Sequence, residues 1–179
     1  MKIFMVNGKG GSGKTSFEDF VIKHAERCAV IPVFKASMID YVKDIASYAG
    51  WDGGKTNEDR KFLHQLKMIL SEWNDSPMQE IVGLVKDLEH FEGENIAIFI
   101  DMREPDDIDR FCEICEKEKW EYYTLLVTRD ILNNVFYGNE ADDNVYNYQY
   151  DIVIDNSGTI KELQNSANFF YEKYIGGEI

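Results

Sequence analysis

At 179 residues, with 44% hydrophobic and 29% charged residues, the chain is long enough to bury one proper core and has the make-up of a globular protein. A net charge of -14 argues against duplex nucleic acid as a partner, because that ligand asks for clustered Lys and Arg. No apolar run approaches bilayer length, and three cysteines make no disulfide framework, so no membrane partner is expected and the cytoplasm is the expected compartment.

The charge is uneven. Residues 1–35 hold six Lys/Arg against three Asp/Glu, which leaves -17 on the remaining 144 residues. A small polyanion gripped locally, near the N-terminus, suits that distribution.

In chain order, Ile3-Phe4-Met5-Val6 predicts a buried parallel strand stopped by Asn7-Gly8. Phe17, Phe20, Val21, His24, Ala25 and Cys28 recur at helical spacing. Residues 30–34 predict a second strand, interrupted by Pro32 and therefore suited to a sheet edge. Three helices are expected next. The first carries Ile39, Val42, Ile45, Ala46 and Ala49, and the second carries Phe62, Leu63, Leu66, Ile69, Leu70 and Trp73. The third opens with Ser76-Pro77-Met78-Gln79, which reads as a capping box with proline at the first helical position. A glycine-rich turn, Trp51-Asp52-Gly53-Gly54-Lys55, separates the first two.

Residues 96–100 predict a third strand ending at Asp101, and Pro105 starts a helix with Ile108, Phe111, Cys112 and Cys115 on one face. Those cysteines are expected to be core residues, since no second pair is present to complete a metal site. Residues 123–127 predict a fourth strand, followed by Thr128-Arg129. Residues 131–149 contain no Lys or Arg and show no clear period. Residues 152–154 predict the last strand, and Thr159-x-x-Glu162 caps a final helix.

Strands alternating with helices imply an α/β protein with a five-stranded parallel sheet flanked by helices. One domain is expected, with its core in 1–36, 94–129 and 150–179, a helical substrate-binding insertion over 37–93 and a short lid over 130–149.

Gly8-Lys9-Gly10-Gly11-Ser12-Gly13-Lys14-Thr15 fits the phosphate-binding loop G-x-x-x-x-G-K-[ST]. Gly8, Gly10, Gly11 and Gly13, with Ser12, let backbone N–H groups turn around a phosphate. Lys14 is expected to reach the β- and γ-phosphates of ATP, and the Thr15 hydroxyl to ligate Mg²⁺. Asp101, at a strand end, is a second candidate for the Mg²⁺ site. The helical insertion points to a kinase, because an acceptor must be brought in line with the γ-phosphate while water is kept out. Lys55 and Arg60 are its candidate acceptor ligands. Ser37 and Asp40 either contact the acceptor or cap the helix that starts there. A nucleotide-dependent switch or ATPase acting on a protein partner is the alternative from another class.

The chain resembles the nucleoside monophosphate kinases, most closely the small deoxynucleoside monophosphate kinases of bacteriophages and their bacterial relatives. The resemblance is carried by the loop, by Val42-Lys43, Gly50-Trp51-Asp52-Gly53, Lys55, Asp59-Arg60 and Phe62-Leu63, and by Arg103-Glu104-Pro105. Arg129, Tyr150-Asp151 and Asp155-Asn156 extend it over nearly the whole chain. Animal-type phosphomevalonate kinases share the outline. The family pattern implies transfer of a phosphoryl group from ATP to a small phosphorylated acceptor, with Arg60, Arg103 and Arg129 joining Lys14 in neutralising the phosphates. The sequence departs from that pattern in its lid, which brings no arginine over the phosphates.

Overall fold

A computed structural model describes residues 1–92, 95–132 and 145–177. The chain divides into two compact units, one of residues Met1–Lys35 and Glu92–Ile179, the other of residues Ala36–Phe91. Most of the segment expected to form a lid, residues 133–144, lies outside the described residues.

The first unit is built on a five-stranded parallel sheet in the order β2-β3-β1-β4-β5. The strands are β1 (Lys2–Asn7), β2 (Val33–Ser37), β3 (Ala97–Asp101), β4 (Glu121–Thr128) and β5 (Ile152–Asp155). Strand β1 pairs in parallel with both β3 and β4, with Val6 opposite Asp101 and Asn7 opposite Leu126. The continuous apolar runs of β1 and β3 are buried throughout, as a central parallel strand covered on both faces requires. Strand β2 takes the expected edge position but begins one residue after Pro32, so the proline precedes the strand rather than interrupting it. The Pro32 carbonyl accepts the Ala97 amide at 3.0 Å. Proline has no N–H to donate and is tolerated where only its carbonyl is needed.

Helices α1 (Lys14–Cys28), α5 (Pro105–Glu118) and α6 (Ile160–Phe170) pack against this sheet. The core is aromatic. The Phe4 ring lies 5.0 Å from Phe170 and 5.5 Å from Phe99, and Phe17 lies 5.3 Å from Phe170. Phe17, Val21 and Ala25 of α1 are buried at the spacing read from the sequence, whereas Cys28 is exposed. His24 packs edge-on against Tyr171, whose hydroxyl exchanges hydrogen bonds with the Ile31 backbone. Cys115 is buried and Cys112 half-buried with its sulfur 3.9 Å from Met5 Sδ. Burial pushes both thiols up, to about 12 and about 11, as suits packed rather than reactive cysteines. The Thr159–Glu162 capping box forms as expected, and α6 runs on into a π-helical turn, Tyr171–Ile175.

The second unit holds α2 (Asp40–Tyr48), α3 (Asn57–Asn74) and α4 (Ser76–Glu92). One expectation fails here. Ser76 is not a cap residue, since its hydroxyl is buried without a hydrogen-bond partner among the described residues. Helix α4 is instead started by the residues before it. The Ser76 amide donates to Asn74 Oδ1, and Gln79 reaches back to the Asn74 carbonyl. The apolar stripe of α3 is also less buried than its period suggests. Leu63, Leu66 and Leu70 are half-buried, while Phe62, Ile69 and Trp73 are exposed, Trp73 at 82%. No helix among the described residues is long and apolar enough to cross a membrane.

Candidate functional site

The loop between β1 and α1 is shaped by three glycines with positive φ: Gly8 at 151°, Gly11 at 82° and Gly13 at 96°. A side chain at Gly8 would run into the Val127 carbonyl and the Ser12 hydroxyl, and one at Gly13 into the Asn156 amide. Gly13 is the N-cap of α1 and supplies no side-chain cap, and the first helical turn holds no acidic residue. This helix end therefore carries neither a side-chain cap nor an acid of its own, which suits an anion. A Ser12 N–H to Lys9 carbonyl bond of 3.0 Å closes the turn, and the Ser12 hydroxyl is buried with no hydrogen-bond partner among the described residues. Gly10 is half-buried. Lys14 folds back over the loop and donates to the Gly8 and Lys9 carbonyls. Lys9 lies 5.0 Å over the Tyr146 ring, which ties the loop to the 3₁₀ turn Val145–Asn147.

The loop is held from below by residues whose part the sequence did not disclose. Asn7 is fully buried at the end of β1. Its Oδ1 accepts the Gly8 amide at 2.7 Å, and its Nδ2 donates to the Arg103 carbonyl at 2.9 Å and to the Tyr150 hydroxyl at 2.8 Å. Tyr150 in turn donates to the Val145 carbonyl at 3.0 Å, and burial pushes its phenol up to about 12. Asn156 Nδ2 donates to the Ser12 carbonyl at 2.8 Å. The buried Asn7 amide thus joins the loop to the segments after β3 and before β5, and the half-buried Asn156 amide joins it to the residues just past β5.

Asp101 ends β3 beside Val6 and is half-buried. Thr15 is exposed in the first turn of α1. Glu18, one turn further along α1, is 2% exposed and was not expected in the site. Burial pushes its carboxyl up to about 8; the neighbouring Asp101 charge adds to the rise, and Lys35 and Lys14 oppose it. Lys35 is itself paired with Asp19 at 2.5 Å, which raises the lysine. The only warning in the sequence is that Glu18 falls on the arc of α1 between Phe17 and Val21, both buried.

Arg103 is exposed two residues past the end of β3, and Arg129 is exposed directly after β4. In the helical unit, Ser37 and Asp40 meet: the Ser37 amide donates to Asp40 Oδ2 at 3.0 Å, and Asp40 Oδ1 takes Lys43 at 2.8 Å. Lys55 and Arg60 are exposed on either side of a tight knot. There Asp59 accepts the Trp51 indole N–H at 2.9 Å, the Thr56 amide at 2.8 Å and the Thr56 hydroxyl at 2.6 Å. These bonds hold the Asp59 carboxyl below its ordinary range, the Thr56 hydroxyl first among them. A Cβ at Gly54 would strike that same carboxylate. The glycine turn and the Asp-Arg pair read from the sequence are therefore one structural device that opens α3 and presents Lys55 and Arg60.

The residues of the first unit fit a nucleoside triphosphate with a divalent cation. The glycine cradle and the uncapped helix end suit the phosphates, and the Thr15 hydroxyl with Asp101 supplies oxygen donors of the kind Mg²⁺ takes. No group of three or more His, Cys, Asp or Glu among the described residues could hold a metal by itself.

The sequence matches no protein-family model and no curated protein. Among solved structures, the chain is similar to the Mycobacterium tuberculosis APS kinase in complex with AMPPNP and APS. The identity is 9%, over 96% of this chain and 98% of that chain, with a TM-score of 0.53. It is also similar to APE1195, at 13% identity over 98% and 96% of the two chains and a TM-score of 0.55. At such identities the likeness is one of fold, an α/β parallel sheet flanked by helices.

Proposed function

We propose that this chain is a P-loop kinase that transfers the γ-phosphoryl group of ATP to a nucleoside monophosphate, deoxynucleotides foremost, giving the diphosphate. The observation that carries the donor half is the glycine cradle at an uncapped helix end, with Lys14 folded over it. The acceptor half is supported by the family resemblance and by the knot at Asp59, which sets Lys55 and Arg60 on a rigid support. Rigid supports are what accurate placement of a phosphate ligand needs.

In this reading the loop amides and the α1 end bind the β- and γ-phosphates, and Lys14 leaves its loop carbonyls to follow the charge on the transferring group. Thr15 and Asp101 hold Mg²⁺, which neutralises the phosphate oxygens when bound. Arg103 and Arg129 flank the same strand ends and take up the remaining charge by bidentate contacts. Lys55, Arg60, Ser37 and Asp40 belong to the helical unit and are assigned to the acceptor. No acid–base pair is required, because phosphoryl transfer rests on positioning and charge stabilisation.

A second reading keeps the reaction and changes the acceptor to another small phosphorylated metabolite; the APS bound by the similar APS kinase is the observation in its favour. ADP release measured over a panel of ribo- and deoxyribonucleoside monophosphates, with APS and phosphomevalonate alongside, tests both. Stimulation by a nucleoside monophosphate supports the first reading. Stimulation by the other acceptors alone replaces it with the second, and ADP release indifferent to every acceptor removes both.

A further inference from the structure

We propose that Glu18 is a positioning residue of the divalent-cation site, holding the water ligands of a Mg²⁺ bound by Thr15 and Asp101. The assignment rests on the nucleotide-binding reading above. It starts from burial. Glu18 is 2% exposed, and its Oε1 is buried with no hydrogen-bond partner among the described residues. A buried carboxyl oxygen left unpaired is costly, so its retention asks for a partner that arrives in another state.

The surroundings say which partner. On a helix, residues three and four apart share a face, so Glu18 stands in line with Thr15 and Lys14. Asp101 ends β3 opposite Val6, on the strand that leads into the phosphate loop, and among charged neighbours its charge bears most strongly on Glu18. Lys35 lies near enough to oppose it, but its ammonium is already committed to Asp19 at 2.5 Å. Two carboxyl groups and a threonine hydroxyl are thus grouped beside the phosphate loop, and one oxygen of Glu18 has no hydrogen-bond partner among the described residues. A divalent cation with its waters satisfies all of them: Mg²⁺ keeps several waters and binds through one or two carboxylates plus phosphate oxygens. Groups that accept from metal-bound water orient the ion as strongly as many direct ligands do.

The test is the affinity for ATP with Mg²⁺ and with EDTA, by calorimetry, in the wild-type chain and in Glu18→Gln, whose amide keeps the shape of the acid. Metal-free ATP should bind both alike, while the gain in affinity brought by Mg²⁺ should fall by about 10- to 100-fold in the variant. An unchanged Mg²⁺ gain in a folded Glu18→Gln protein overturns the assignment. Loss of activity with that gain intact overturns it equally. Failure of the wild-type chain to bind ATP at all overturns the nucleotide reading and the assignment with it. Should the variant not fold, Mn²⁺·ATP bound to wild-type chain carrying carbon-13 in its glutamate carboxyls decides the matter. A carbon-13 hyperfine coupling to Mn²⁺ is expected, and its absence overturns the proposal.

Discussion

Lys14 and Gly13 carry the loop in different ways. Lys14 donates to two loop carbonyls and is half-buried, so removing its amine spares the packed core. Lys14→Ala should keep the far-ultraviolet spectrum and the melting temperature while lowering turnover by about 100-fold or more, the scale of a lost electrostatic contact to a transition state. Near-normal turnover in a folded variant would contradict the phosphoryl-transfer mechanism. Gly13, at φ 96°, tolerates no side chain, because a Cβ would meet the Asn156 amide. At this scale the sequence was legible where a motif fixes the spacing, as from Gly8 to Thr15. It was not legible at Asn7 and Glu18. Nothing local marks a buried asparagine that binds three separated segments, or an acid whose meaning depends on Asp101, eighty-odd residues away.

Among the elements, α3 and α6 both open with a complete capping box, yet only that of α6 was read from the sequence. Thr56 and Asp59 carry the same pattern with an aspartate in the glutamate place, and the Trp51 indole makes it a three-way knot. Because Asp59 is held below its ordinary 3.8, its contribution to stability is present above about that pH and is lost as pH falls through the lowered value. The indole N–H signal of Trp51, followed by nuclear magnetic resonance during acid titration, should therefore move with a midpoint below 3.8. Asp59→Asn should abolish that titration, and a midpoint at or above 3.8 would mean that the knot does not form in solution. For α6, Thr159→Ala should cost about 1 kcal/mol, a fall in melting temperature of about 2–4 °C for a chain of this size. The start of α4 was misread because Ser76-Pro77-Met78-Gln79 imitates a cap, while the Asn74 side chain, placed by the end of α3, supplies the actual hydrogen bond. The exposed side of α3 was hidden for a related reason: helical period shows which residues share a face, not how much of that face is covered.

At the scale of the molecule, the five-stranded parallel sheet followed from alternation and the edge place of β2 from Pro32, so the fold class was legible, whereas the strand order was not read. The roles of the two units are a matter of function, and they give separable predictions. Arg60→Ala should weaken the monophosphate by about tenfold and leave ATP affinity within about twofold, since Arg60 lies in the helical unit and the loop in the other. Equal weakening of both ligands would remove Arg60 from the acceptor. A mimic joining ATP to the monophosphate should slow amide hydrogen exchange both around the loop and within residues 36–91; protection confined to the loop would favour a nucleotide switch instead. The most direct measurement follows the fate of the γ-phosphorus itself, by phosphorus-31 magnetic resonance of a reaction run in oxygen-18 water with ATP, Mg²⁺ and the stimulating monophosphate. Phosphoryl transfer predicts one new nucleoside diphosphate for each ADP and no labelled inorganic phosphate, whereas oxygen-18 phosphate accumulating in step with ADP would show that water is the acceptor and that the chain is not a kinase.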